Sequence, residues 1–85
     1  MRLPSVIRMN YVGIGTAKKL ARLRANALAA ELPPAAGPST RARLRSHVQY
    51  RVFWELMSGA LRPADASTWR PRPDELGAII GESHE

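Results

Sequence analysis

The chain has 85 residues, a formal net charge of +6, no Cys and two His. One small domain of this length buries only about 60–65% of its unfolded surface, so it is expected to gain stability from a partner, as a homo- or hetero-oligomer. The composition excludes disulfides, iron–sulfur clusters and thiolate zinc sites, and no stretch approaches the roughly 20 apolar residues that a membrane span needs.

The charge is unevenly distributed. Residues 1–51 hold ten Lys and Arg (Arg2, Arg8, Lys18, Lys19, Arg22, Arg24, Arg41, Arg43, Arg45, Arg51) against Glu31 alone, a balance of +9. Residues 52–85 hold three Arg against six acids, a balance of −3, and the two parts sum to +6. A cationic part of this kind attracts an anionic surface.

Residues 1–15 read as a basic leading segment. Residues 1–30 carry six basic residues and no acid, which resembles a mitochondrial targeting segment, but Ser and Thr are sparse. The expectation is an intracellular protein, with the mitochondrial matrix as the alternative to the cytoplasm. Thr16 reads as an N-cap, and the Ala, Leu, Lys and Arg of residues 17–32 favour a helix that Pro33 and Pro34 end. On a helical wheel Lys18, Lys19, Arg22 and Asn26 fall within about 100° of arc and form a cationic face. Two apolar arcs, one holding Leu20 and Leu23 and the other Leu28 and Leu32, form a broad front that Arg24 and Glu31 divide.

Residues 33–38 read as a stiff, extended linker. Ser39 or Thr40 is expected to cap a second helix over residues 39–58, with Gly59 just past its end. Leu44, Val48, Val52 and Leu56 form one stripe at i, i+4 spacing. Tyr50, Phe53, Trp54 and Met57 form a second apolar face, expected to be mostly core. A strand over residues 48–54 is the rival reading, because Val48, Tyr50, Val52 and Trp54 alternate. Residues 60–72 read as a Pro-containing loop carrying Trp69. Pro73, Asp74 and Glu75 start a short helix over residues 73–81, with Leu76, Ile79 and Ile80 as its buried face. The fold expected is therefore all-α: two main helices plus a short C-terminal helix, joined by Pro-rich connections.

The segment Tyr11-Val12-Gly13-Ile14-Gly15-Thr16-Ala17-Lys18-Lys19-Leu20 resembles the Gly-hydrophobic-Gly hairpin of helix-hairpin-helix domains. That resemblance implies backbone N–H groups gripping phosphates without reading sequence. Lys19 stands where the family has a small residue. The plainer reading is a turn before a helix.

Arg41, Arg43 and Arg45 spread over about 200° of helix surface, so they do not all line one groove; the readings are that they bracket a polyanion, or that they are solvated or paired to the acidic tail. Exposed aromatics beside cations are what single-stranded nucleic acid needs, and Tyr50 and Trp69 each neighbour an Arg. Trp69, in a Pro-flanked loop with Arg70, reads as an exposed anchor. No nucleophile, base and orienting acid recur at telling spacing, and no enzyme, cofactor or metal is expected. The leading expectation is a non-enzymatic binding protein that contacts DNA or RNA through Lys18, Lys19, Arg22, Arg41, Arg43 and Arg45. The alternative is an accessory or regulatory subunit, an adaptor or inhibitor. It would dock on a larger protein assembly, with an acidic surface there, through Tyr50, Trp54, Trp69 and Arg70.

Overall fold

The computed structural model describes residues 12–81 and is all-α over that range. Three α-helices follow in order: α1 (Ile14–Ala30), α2 (Pro38–Ser58) and α3 (Pro73–Gly81). A 3-10 segment, Pro63–Thr68, lies between α2 and α3. Residues 48–54 are helical, which settles the strand alternative. The reading of residues 1–11 as a basic leading segment lies outside the described residues.

Both long helices begin earlier than their hydroxyl residues predict. Gly13 caps α1 in an extended conformation, and its carbonyl accepts the Ala17 N–H at 2.9 Å. Thr16 is exposed inside the first turn and caps nothing. Gly37 caps α2 and Pro38 takes the first helical position, where its fixed φ suits the helix and its missing N–H costs nothing. Ser39 and Thr40 therefore fall within the first turn, and Thr40 is buried. At its other end α2 stops at Gly59, whose φ of 85° is the left-handed conformation that favours glycine.

Residues 31–37 fold back as a turn rather than extending. The Ala36 N–H donates to the Pro33 carbonyl at 2.9 Å. Arg41 fixes this corner: its guanidinium donates to the carbonyls of Ala29 and Pro33, each at 2.9 Å. Those carbonyls lie at and just beyond the negative end of α1, where a cation is favourable. The short connection makes α1 and α2 an antiparallel hairpin.

Ala17, Ala21 and Ala25, one turn apart on α1, are buried together with Leu28. They share one core with Leu44, Val48, Val52 and Leu56 of α2, the stripe read from sequence. Small side chains on one helix let the larger ones on the other sit close to its backbone. Ala66, Trp69 and Ile79 close the same core from the C-terminal part of the chain. Leu23, assigned by the wheel to the apolar front of α1, is exposed, as is Ile80 of α3. In each case the neighbouring helix covers only part of the apolar arc.

A polar cluster docks α3 on α2. Glu75, in the first turn of α3, is half-buried with its side chain largely covered, and accepts from His47 Nε2 at 2.7 Å and from Arg51 Nη1 through the same Oε1. Arg72 Nε lies 3.0 Å from its Oε2. Burial alone pushes the Glu75 carboxyl up, and is the largest single influence. The side-chain hydrogen bonds from His47 and Arg51, the Arg51 charge and the backbone of Arg72 together outweigh it and hold the group at about 2, against an ordinary 4.5. In return the hydrogen bond to Glu75 raises Arg51 against its own desolvation, with help from Glu55.

This shift has a signed consequence for stability. Above pH 4.5 Glu75 is ionised whether folded or unfolded, and its contribution is fully present. Between 4.5 and 2 the unfolded chain takes up a proton that the folded chain resists, so stability falls as pH falls. Urea midpoints taken across that window should drop more steeply for the native chain than for Glu75→Gln. Parallel declines would show that Glu75 does not carry this linkage.

Candidate functional site

The cations are sorted by whether an acid or carbonyl engages them. Arg24 donates to the Trp69 carbonyl at 2.8 Å. Arg41 is used at the α1 corner, and Arg51 is held by Glu75 and Glu55. Arg62 pairs with Asp65, and Arg70 with Glu31 at 3.0 Å. Arg43 is half-buried. Among the described residues, Lys18, Lys19, Arg22 and Arg45 are exposed and make no ion pair.

Trp69 is not an exposed anchor. It is 8% exposed and is held on three sides. Its Nε1 donates to Glu55 Oε1 at 3.1 Å, the Arg51 guanidinium lies 5.3 Å from its ring centroid, and its carbonyl accepts from Arg24. With its polar edge satisfied, the indole can be buried and supply core area that a small domain lacks elsewhere. Arg70, tied to Glu31, likewise links the segment after the 3-10 turn to the end of α1 rather than facing a partner alone.

The second face of α2 departs from expectation in the opposite sense. Tyr50 is 64% exposed, Trp54 54% exposed, Met57 also exposed, and only Phe53 is half-buried. The three aromatic rings touch edge to face. Phe53 and Trp54 have centroids 5.2 Å apart, and Tyr50 and Trp54 6.4 Å apart. These rings border a shallow groove of about 500 Å³ between α1 and α2. Lys18 and Arg22 line it from α1, and Ser46 and Gln49 join the aromatics on the α2 side. The fold thus joins two features that lie far apart in sequence, the cations of α1 and the aromatics of α2. Arg45 lies one turn before Gln49 on the same helix, whereas Arg41 and Arg43 do not line the groove. The seam of alanines sets this register, and neither helix alone reveals it.

A second, smaller cavity of about 150 Å³ lies under the Arg70–Glu31 pair, lined by Leu28, Leu32, Leu44, Leu76 and Ile80. Its lining is mostly aliphatic, which marks it as a gap between packed helices. The Gly13-Ile14-Gly15 segment is accounted for locally, since Ile14 and Gly15 already belong to α1. The positions that a hairpin's first helix would occupy lie outside the described residues. Among the described residues no three His, Asp or Glu converge as metal ligands, and no helix is long and apolar enough to cross a membrane. Comparison with protein-family models, curated proteins and solved structures finds no match to this chain.

Proposed function

We propose that this chain is a small non-enzymatic protein that binds nucleic acid through the cationic wall of the α1–α2 groove. The observation that carries the reading is the state of Lys18, Lys19 and Arg22. They are exposed on one face of α1 and make no ion pair among the described residues, while Glu31, at the other end of that helix, pairs with Arg70. Unneutralised cations on a rigid helix gain binding energy by displacing the counterions of a phosphate backbone. Arg45 extends the cationic surface onto α2. Arg41 and Arg43 leave the contact set, Arg41 because its guanidinium closes the helical hairpin and Arg43 because it is half-buried.

Docking on a protein assembly is the second reading, and the exposure of Tyr50, Trp54 and Met57 favours it. Trp69 and Arg70 no longer belong to that surface. Paired variants separate the two readings. Lys18→Gln with Arg22→Gln, and Arg62→Gln with Arg70→Gln, each lower the net charge by two. The first pair should weaken nucleic-acid binding by ten-fold or more at low salt, and the second by less than three-fold, measured by fluorescence anisotropy. Equal losses from both pairs would reduce the effect to net charge and remove the role of the groove.

A further inference from the structure

We infer that the occupant of the α1–α2 groove is single-stranded rather than duplex nucleic acid, with bases stacked on Trp54 and Tyr50. The inference rests on the nucleic-acid reading above and names its ligand class. A single strand carries two chemically distinct rails, phosphates along one side and unpaired base faces along the other. The groove presents the complement of both. Lys18 and Arg22, one helical turn and about 6 Å apart along α1, form the cationic wall. Tyr50 and Trp54, with the same spacing on α2, form the aromatic wall. Such a pairing of basic track and stacking platform suits a strand whose bases are free.

Duplex nucleic acid fits this surface less well. Its base faces are occupied by stacking on one another, so it offers the groove phosphates and base edges only. Tyr50 and Trp54 would stay without a partner, and their exposed area would gain nothing from binding. The groove lining also includes Ser46 and Gln49, which can hydrogen-bond any base edge and read no particular one. Stacking is equally tolerant of sequence, so the ligand class is defined by strandedness rather than by a motif.

The two tryptophans make the test direct, because Trp69 is buried and Trp54 is not. The full chain is titrated with a fluorescein-labelled 20-mer of deoxythymidylate, a uridylate 20-mer, a mixed-sequence duplex of equal length and inorganic polyphosphate. Either single strand should bind at least ten-fold tighter than the duplex at the same salt and should quench Trp54 emission. Trp54→Ala should weaken single-strand binding by about 5- to 150-fold, the range that one stacked base spans, and change duplex and polyphosphate binding by less than two-fold. Trp54→Phe, which keeps a ring, should recover part of the loss. An unchanged far-UV circular dichroism spectrum and melting temperature show that the variant still folds.

Duplex binding as tight as single-strand binding, or single-strand affinity indifferent to Trp54→Ala, overturns the inference and leaves the phosphate reading intact. Absence of salt-sensitive binding to all four probes overturns the phosphate reading itself.

Discussion

Trp69→Ala is expected to cost about 3–5 kcal/mol, the range for truncating a buried aromatic side chain. An 85-residue domain has about 4–13 kcal/mol in total, so this variant should remove from about a quarter to all of its stability. The loss has three parts. The indole leaves a cavity against Ala66 and the α2 stripe, within the shared core. Glu55 Oε1 loses the Nε1–H that it accepts at 3.1 Å. The Arg51 guanidinium loses the ring it lies over. Trp69→Phe keeps a six-membered ring in the core and removes the Nε1–H together with the pyrrole part of the indole, so it should cost more than the roughly 1 kcal/mol of the hydrogen bond and less than Trp69→Ala. Urea unfolding followed by circular dichroism measures both. A Trp69→Ala variant as stable as the native chain would place the indole outside the core.

Leu56→Ala is expected to cost about 2–5 kcal/mol, since Leu56 is 1% exposed and among the largest fully buried side chains of the domain. Its counterpart acts from the other side of the seam. Ala21 is fully buried, and Ala21→Leu inserts three carbons where α2 packs against α1. Overpacking of that kind costs about 1–3 kcal/mol. The two together distinguish a specific seam from a loosely collapsed interior, which would tolerate the larger residue at position 21. Because the seam also aligns Lys18 and Arg22 with Tyr50 and Trp54, Ala21→Leu should weaken nucleic-acid binding even where the chain remains folded. Native-like stability for both variants would contradict the close-packed hairpin.

Much of the scaffold was legible in the residues themselves. The Leu44, Val48, Val52, Leu56 repeat identifies the buried face of α2. Gly59 marks its end, and Pro73-Asp74-Glu75 marks the start of α3. Those signals are local, and local physics decides them. The hydroxyl caps misled because Pro38 prefers the first helical position and Gly13 and Gly37 accept the extended cap conformation, which moved both helix starts upstream. Trp69 and the Tyr50–Trp54 face misled for a shared tertiary reason. A loop indole becomes core only when Arg24, Glu55 and Arg51 arrive to hold it. The aromatics of α2 stay exposed because α1 presents alanines to the stripe beside them and lysine and arginine to the groove. The clustering of Lys18, Lys19 and Arg22 followed from helical spacing, whereas the opposition of Lys18 and Arg22 to Tyr50 and Trp54 required the hairpin register.

No carboxylate among the described residues pairs with Lys18, Lys19 or Arg22, and the salt dependence of binding reads that directly. The logarithm of the association constant for a deoxythymidylate 20-mer should fall linearly with the logarithm of salt concentration. Lys18→Gln with Arg22→Gln should reduce the magnitude of that slope by about 1.4, two phosphate contacts at about 0.7 each on a single strand. A slope unchanged by removing both side chains would contradict the claim that this face of α1 meets the phosphates.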